Sequence, residues 1–142
     1  MPTRSATATW KGGLKNGSGS FTGAKGLSGA YTFASRFEES EGLNPEDLIA
    51  AAEAACFSMA LSGGLEKNGT PPTNIETTAR CVVERGEAGF SITTILLEVR
   101  ANVPNIDDAA FQKIAATTKD TCPVSKALKG NVDIRLTATL GG

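Results

Sequence analysis

The sequence contains no histidine. It therefore lacks the side chain that most often serves as a general base near neutral pH and that most often binds metals. Cysteine is scarce as well, with three residues in a chain of 142. Because no cysteines are closely spaced, a zinc site is disfavoured, and we expect neither a metal nor a cofactor. If the protein catalyses a reaction, thiol chemistry at Cys56 or Cys122 is the first candidate.

The chain also lacks an excess of charge of either sign, since 14 lysines and arginines stand against 15 aspartates and glutamates. This balance disfavours a nucleic acid or a membrane surface as a partner. We see no apolar run long and uninterrupted enough to span a bilayer, and residues Met1 to Thr7 lack the apolar stretch of a secretory signal. A cytoplasmic protein with one domain over residues 1–142 is therefore expected.

The odd number of cysteines limits disulfide bonding, because three cysteines cannot all pair within one chain. In a reducing compartment a structural disulfide is rare. A pair that does form there is more often catalytic or redox-sensing.

The order of the hydrophobic patterns predicts an α+β protein with the elements βββ-α-ββ-α-α-β. Among the first strands, alternation from Tyr31 to Phe37 places Arg36 on a strand, pointing away from the aromatic face. The segment from Gly23 to Gly29 is typical of a mobile loop. The later elements are a hairpin (Ile75–Arg85 and Phe90–Val103), helices from Asp107 or Asp108 to Lys119 and from Cys122 to Lys129, and a strand from Val132 to Leu140.

The central helix is predicted to begin at Asn44 as its N-cap, with Pro45 in the first helical position. From Leu48 to Leu61 only Glu53 is charged, and a helix that is apolar on every side is usually buried on every side. A chain of 142 residues has little material to enclose such a helix. A second subunit would complete its burial, so we expect a homodimer. Gly63-Gly64 is expected to end or fray the helix.

The two candidate cysteines differ in their local settings. Cys122 precedes Pro123 at a predicted helix start, where backbone N–H groups and the helix dipole favour a thiolate. It fits equally well as a small residue in a cap position. Cys56 lies in mid-helix and needs a cation to ionise, for which Arg36 is the attractive candidate; otherwise it is a buried core cysteine. Cys81 lies on the apolar face of a strand and belongs to the core.

Two carboxylates complete the set of candidate residues. Glu46 lies about ten residues before Cys56, roughly 15 Å along a straight helix, so it serves the Cys56 of a partner chain or only stabilises the helix start. Glu53 lies on the same helix face as Cys56. It would oppose a thiolate there unless it pairs with an arginine or turns to solvent.

Four segments, taken together and in order, resemble the OsmC/Ohr family of osmotically inducible and organic hydroperoxide resistance proteins. The resemblance extends over nearly the whole chain and is closest to the OsmC branch, since the other branch takes its arginine from a Gly-rich N-terminal segment. The segments are Arg36-Phe37-Glu38, Asn44-Pro45-Glu46-Asp47-Leu48-Ile49, Ala54-Ala55-Cys56-Phe57-Ser58-Met59-Ala60-Leu61 and Cys122-Pro123-Val124-Ser125.

The resemblance implies an OsmC-like fold, an intertwined homodimer with interfacial active sites, and a thiol-dependent peroxidase. Members reduce organic hydroperoxides, and in many cases hydrogen peroxide less efficiently. By motif, Cys56 is the attacking thiol, and Cys122 is the resolving thiol that forms a Cys56–Cys122 disulfide. Arg36 would hold the thiolate, and Glu46 would orient Arg36. The reductant is a dithiol, which in relatives is carried by a lipoylated protein.

Three points stay open at the level of sequence: the function, the substrate and the electrostatics around Cys56. The alternative function on the same fold is a non-enzymatic thiol redox sensor or a small-ligand binding protein. Apolar side chains at Phe57, Met59 and Phe37 favour an alkyl or lipid hydroperoxide over hydrogen peroxide. Glu53 departs from the neutral or imidazole side chain that some relatives carry, which puts the electrostatics around Cys56 in question.

Overall fold

A computed structural model describes residues 2–141. The chain divides into two compact units, the first ending at Leu48 and the second beginning at Ile49. The predicted α+β order is confirmed, with one additional short helix, α1. The elements are β1 (Ala6–Lys11), β2 (Ser18–Gly23), β3 (Ser28–Tyr31), α1 (Phe33–Phe37), α2 (Pro45–Lys67), β4 (Asn74–Gly86), β5 (Gly89–Asn102), α3 (Asp108–Thr121), α4 (Pro123–Leu128) and β6 (Asp133–Leu140).

The N-terminal unit is built on an antiparallel sheet in the order β1-β2-β3. Aromatic rings cover one face, with Tyr31 lying 5.5 Å from Trp10 and 6.1 Å from Phe21 between ring centroids. Gly19 lies beneath these rings, and a Cβ there would come within 2.6 Å of Trp10 and 2.8 Å of Tyr31. Only glycine therefore permits the rings to lie flat on the sheet.

The predicted mobile loop over Gly23–Gly29 is wrong. Strand β2 continues to Gly23, one 3₁₀ turn follows at Ala24–Gly26, and β3 begins at Ser28. Lys25 and Gly26 have φ angles of 60° and 83°, so the chain reverses through two left-handed residues. A tight turn therefore joins two paired strands in this segment.

The prediction that Arg36 lies on a strand is also wrong, because residues Phe33–Phe37 form the short helix α1. The backbone N–H of Ser35 donates to Thr32 Oγ1 at 3.0 Å, and the backbone N–H of Thr32 donates to Ser35 Oγ at 2.8 Å. This reciprocal capping box satisfies backbone donors at the helix start. The alternation that suggested a strand is outweighed by these local hydrogen bonds.

The C-terminal unit is built on a sheet in the order β4-β5-β6. The predicted hairpin is confirmed, with β4 antiparallel to β5 and a bulge between Val82 and Val83. Strand β6 pairs parallel to β5 after the crossover through α3 and α4. The fully buried core joins one face of α2 to β5 and α3, and consists of Phe57, Leu61, Leu65, Ile95, Leu97, Val99, Ala101, Phe111 and Ala115.

The start of α2 is as predicted. Asn44 Oδ1 accepts the backbone N–H of Asp47 at 2.8 Å, and Asp47 Oδ2 accepts the N–H of Asn44 at 3.2 Å. The side chain of Asn44 therefore caps the helix. Glu46 and Asp47 lie in the first turn, where the helix dipole stabilises negative charge.

The predicted end of α2 at Gly63-Gly64 is wrong, since the helix continues to Lys67. Gly64 permits close packing on α3, because a Cβ there would lie 3.0 Å from Ile114 Cγ2. The helix is terminated instead by Gly69, which follows it with a φ of 80°. The backbone hydrogen bonds from Gly69 to Glu66 and from Thr70 to Leu65 form a Schellman motif.

Within one chain, α2 is not buried on every side. Its core face carries Glu53, Phe57, Leu61 and Leu65, while the opposite face leaves Ala51, Ala52, Ala55 and Met59 exposed. Met59 is 81% exposed. The complete burial of this helix and the homodimer therefore stay predictions.

The prediction that no segment is long and apolar enough to cross a membrane needs correction. By length and composition alone, α2 passes this criterion, and it is the one helix of residues 2–141 that does. The apolar face that packs on the core accounts for part of this composition.

Candidate functional site

The predicted site residues fall into two groups. Arg36 and Glu46 lie in the N-terminal unit, and Cys56 and Cys122 lie in the C-terminal unit. Each group is built by different elements and has a different chemistry.

Arg36 and Glu46 form a two-pronged ion pair. The Nε and Nη2 groups of Arg36 donate to Glu46 Oε1 at 3.0 and 2.9 Å, and Nε also reaches Oε2 at 3.4 Å. The Glu46 side chain is 7% exposed, whereas that of Arg36 is 39% exposed. The carboxylate thus fixes the guanidinium from the buried side and leaves part of it open to solvent.

Asn44 and Ser35 hold the ion pair in place by tying α1 to the start of α2. Asn44 Nδ2 donates to the Ser35 carbonyl at 2.9 Å, and Ser35 Oγ donates to the Leu43 carbonyl at 2.8 Å. The two segments that carry Arg36 and Glu46 are therefore joined by hydrogen bonds on either side of the pair.

An aromatic cavity of about 240 Å³ opens beside Arg36. The guanidinium carbon lies 5.0 Å from the ring centroid of Phe37, within cation–π distance. Of the apolar side chains expected near a substrate, Phe37 lines this cavity, whereas Phe57 is fully buried in the core of the other unit. The lining consists of Trp10, Leu14, Tyr31, Thr32, Phe33, Arg36 and Phe37.

The two candidate thiols lie near each other although they are far apart in the sequence. Cys56 projects from α2 and Cys122 lies between α3 and α4, and Cys56 is near enough to help raise the pKa of the Cys122 thiol. Both are reduced, and Cys56 is half-buried while Cys122 is buried. Cys81 packs against the core from β4, as predicted. The C-terminal unit therefore brings together the two cysteines that the resemblance singles out.

Cys122 is the N-cap of α4, as predicted, and its sulfur accepts the backbone N–H of Ser125 at 3.4 Å. Of the two interpretations that the sequence leaves open, a thiolate and a cap residue, the pKa favours the second. Burial raises the pKa of the Cys122 thiol, and the hydrogen bond with Cys56 and the negative charge of Glu53 raise it further. The two hydrogen bonds with Ser125 lower the pKa but do not compensate. Cys122 is therefore held as a neutral thiol.

Glu53 lies beside Cys122, where sequence reasoning had considered only Cys56. Its side chain is fully buried, and Oε1 lies 3.6 Å from Cys122 Sγ. The hydroxyl of Ser125 donates to the same Oε1 at 2.5 Å and accepts from Cys122 Sγ at 3.1 Å. Ser125 was not identified from the sequence; its signal is its position three residues after a helix-capping cysteine.

Clusters suited to a metal ion are absent from residues 2–141, where no three cysteine, aspartate or glutamate side chains converge. The chemistry that this arrangement offers is that of two adjacent thiols, one buried carboxyl group and, in the other unit, one fixed guanidinium.

Comparison with known proteins identifies the family. A family model described as OsmC-like protein matches residues 38–137. The chain belongs to the OsmC-like family. The family predicted from the four sequence segments is thus confirmed.

The family includes relatives from both of its named groups. The chain is 44% identical over 129 residues to peroxiredoxin OsmC of Escherichia coli (strain K12), covering 89% of this chain and 90% of the relative. It is 35% identical over 100 residues to the organic hydroperoxide resistance protein OhrB of Bacillus subtilis (strain 168), covering 70% and 71%.

A solved structure with the same fold is an organic hydroperoxide resistance protein from Elizabethkingia anophelis. Its TM-score to this chain is 0.75 at 28% identity, with 99% of this chain and 98% of that chain covered. The α+β fold expected for the family is thus confirmed.

Proposed function

We propose that this protein is a thiol-dependent peroxidase that reduces organic hydroperoxides, and hydrogen peroxide less well, as protection against oxidative stress. The observation that carries the proposal is the proximity of two reduced thiols, Cys56 and Cys122, beside a buried carboxyl group. The relatives named as a peroxiredoxin and as hydroperoxide resistance proteins support the same chemistry.

In the first step, the Cys56 thiolate attacks the distal oxygen of the hydroperoxide. The O–O bond breaks, Cys56 takes the distal OH to become a sulfenic acid, and the departing alkoxide takes up a proton from solvent to leave as the alcohol. Arg36, held by Glu46, supplies the positive charge that stabilises the thiolate and the departing oxygen. The exposed part of its guanidinium supports this role, because it can face a reacting group.

In the second step, the Cys122 sulfur attacks the Cys56 sulfenic acid, the S–O bond breaks, and water is released. The resulting Cys56–Cys122 disulfide protects Cys56 from overoxidation. An external dithiol, such as a lipoylated protein, then reduces this disulfide by thiol–disulfide exchange.

The cavity beside Arg36 supports an organic substrate. Its walls are largely aromatic, so it favours an alkyl or aryl group over a water-like hydrogen peroxide molecule. We therefore propose that the organic part of the hydroperoxide binds against Phe33 and Phe37, with its peroxide group near Arg36.

We further propose a cytoplasmic homodimer in which each site takes residues from both chains. The exposed face of α2 offers an apolar surface for a second copy. Because α2 runs without interruption from Pro45 to Lys67, Glu46 lies roughly 15 Å along the helix from its own Cys56. The Arg36–Glu46 pair of one chain would thus act on Cys56 of the other.

The function is tested by turnover of cumene hydroperoxide with a dithiol reductant. A peroxidase consumes many equivalents per chain, whereas a redox sensor or ligand-binding protein consumes about one. Cys56→Ser should abolish turnover, Cys122→Ser should stop the reaction at the sulfenic acid, and the control Cys81→Ser should leave it unchanged. Full activity in both Cys56→Ser and Cys122→Ser, or none in the natural protein, would refute the proposal.

The sharing of sites between chains is tested by mixing two inactive variants. Chains with Cys56→Ser and chains with Glu46→Ala should together regain activity, because one mixed site then contains an intact Cys56 and an intact Arg36–Glu46 pair. Up to half of the natural activity per mixed dimer is expected. Mixed dimers that form but stay inactive would show that each chain supplies its whole site.

A further inference from the structure

The buried carboxyl group of Glu53 has no obvious structural reason to be there. Its side chain is fully excluded from solvent, and no lysine or arginine pairs with it in residues 2–141. One of its oxygens, Oε2, has no hydrogen-bond partner within the same residues. Burying such a group is unfavourable, and an apolar side chain would fill the position at lower cost.

The contacts that Glu53 does make all lead to one sulfur atom. The Cys122 thiol donates to Ser125 Oγ at 3.1 Å, and the Ser125 hydroxyl donates to Glu53 Oε1 at 2.5 Å. Cys122 Sγ also reaches the same Oε1 directly at 3.6 Å. The three side chains therefore form a continuous hydrogen-bonded path from a thiol to a carboxylate.

We propose that Glu53 is the proton acceptor for Cys122 in the resolving step, with the Ser125 hydroxyl as the bridge between them. This role rests on the proposed peroxidase function and adds to it a residue that acts only after the peroxide has been reduced. The carboxylate touches the reacting sulfur, so Glu53 is a catalytic residue of the second step.

A proton acceptor is needed because Cys122 is held as a neutral thiol. Its pKa is raised by burial, by the hydrogen bond with Cys56 and by the charge of Glu53. A neutral thiol is a poor nucleophile. The negative charge of Glu53 disfavours a Cys122 thiolate before the reaction. The same carboxylate can accept the thiol proton when Cys122 attacks.

The step balances in atoms and electrons. The Cys122 proton moves through Ser125 to Glu53 as Cys122 Sγ bonds to Cys56 Sγ. The S–O bond of the sulfenic acid breaks, and the departing hydroxide takes up a proton to leave as water. If that proton comes from Glu53, the carboxylate is restored for the next cycle, and its unpartnered Oε2 offers a second atom for the transfer.

The test separates the two steps in a single turnover. Reduced protein is mixed with one equivalent of cumene hydroperoxide and quenched at intervals. Dimedone-trapped Cys56 sulfenic acid and the Cys56–Cys122 disulfide are then counted by mass spectrometry. In Glu53→Gln, sulfenic acid should form at the natural rate, whereas disulfide formation should slow by about 100-fold. Ser125→Ala should slow disulfide formation by about tenfold, since the direct contact remains.

The matched control is Glu66→Gln, an exposed glutamate on the same helix, which should leave both rates unchanged. Unchanged disulfide formation in either Glu53→Gln or Ser125→Ala would overturn the proposed path. If the natural protein forms no sulfenic acid, the peroxidase function itself fails. The two failures are thus distinguishable.

A pH profile separates proton transfer from a merely structural role. The titratable side chains that act on the Cys122 thiol are Cys56 and Glu53, both from α2. With its acceptor in place, the natural protein should form the disulfide at a nearly constant rate from pH 6 to 8. In Glu53→Gln the rate should rise about tenfold per pH unit, because hydroxide must then generate the thiolate. The pH profile of the natural protein can be measured even if Glu53→Gln does not fold. A steep rise of the natural protein's rate with pH would overturn the proposal.

Discussion

Cys122 shows that a favourable backbone setting does not by itself ionise a thiol. Cys122 is the N-cap of α4 and is followed by Pro123, as the sequence predicts. The backbone N–H of Ser125 donates to its sulfur. Burial, which depends on the elements packed around it, decides the outcome in the opposite direction.

The raised pKa of Cys122 predicts a loss of stability at high pH. The unfolded thiol ionises near its ordinary value of about 8.5. Above that pH the unfolded state loses a proton that the folded state keeps, so the stabilisation present below it is lost as pH rises. In urea unfolding under reducing conditions, the free energy of unfolding should fall between pH 8 and 10. It should fall less in Cys122→Ser, and equal declines would contradict the assignment.

The Arg36–Glu46 pair predicts a strong effect of a substitution that keeps the charge. Lysine cannot reproduce the two-pronged contact of Arg36 with Glu46, so Arg36→Lys should misplace the positive charge. We expect the second-order rate constant for Cys56 oxidation to fall at least about tenfold, corresponding to about 1.4 kcal/mol. Stopped-flow mixing with cumene hydroperoxide measures this constant. As the control, Arg80→Lys replaces an exposed arginine and should leave it unchanged.

At the scale of the elements, the sequence predicts structure that residue type and alternation determine, but not structure that depends on side-chain geometry or tertiary packing. Residues 74–102 could be predicted as a hairpin because alternation and turn residues agree, and the cap at Asn44 is evident from its side-chain type. The short helix carrying Arg36 could not be told from a strand by alternation. Its capping box consists of two hydroxyl residues whose pairing is a matter of geometry.

The residues of the candidate site likewise fall into those that the sequence predicts and those that only packing reveals. The sequence segments pointed to Cys56, Cys122, Arg36 and Glu46, but not to the placement of Glu53 beside Cys122. That placement depends on how α2 packs against the start of α4, which no local pattern encodes. Gly63-Gly64 likewise indicates a helix end because glycine is unfavourable in a helix, whereas close packing of Gly64 on α3 stabilises the helix here.

The adjacent glycines in α2 predict a difference in stability between two otherwise identical substitutions. Gly63 has open space around its missing side chain, at a groove of about 690 Å³ between α2 and α3. Gly63→Ala should therefore raise stability by about 0.5–1 kcal/mol through helix propensity. Gly64→Ala should gain less or lose stability, because its methyl group would lie 3.0 Å from Ile114 Cγ2. Thermal unfolding of both variants is the measurement, and equal gains would contradict the close packing.

At the scale of the whole molecule, the exposed face of α2 predicts association. Met59 is 81% exposed on a helix with alanines on the same side, and such an apolar surface is costly in water unless a partner covers it. Met59→Glu should destabilise the dimer and shift sedimentation towards the monomer at micromolar concentration. Ala109→Glu adds the same charge at an exposed position of α3 and should leave the assembly intact. A natural protein that sediments as a stable monomer would refute the dimer.

The cap that Cys122 provides for α4 links redox state to local order. In the reduced protein its sulfur accepts the Ser125 N–H and holds the first turn of a helix of six residues. In the proposed Cys56–Cys122 disulfide that sulfur is a weaker acceptor and is drawn towards α2, so the first turn of α4 would lose part of its anchor. If the protein is the proposed peroxidase, each cycle would loosen and re-form this turn, and a reducing partner could tell the oxidised protein from the reduced one by this difference in backbone mobility.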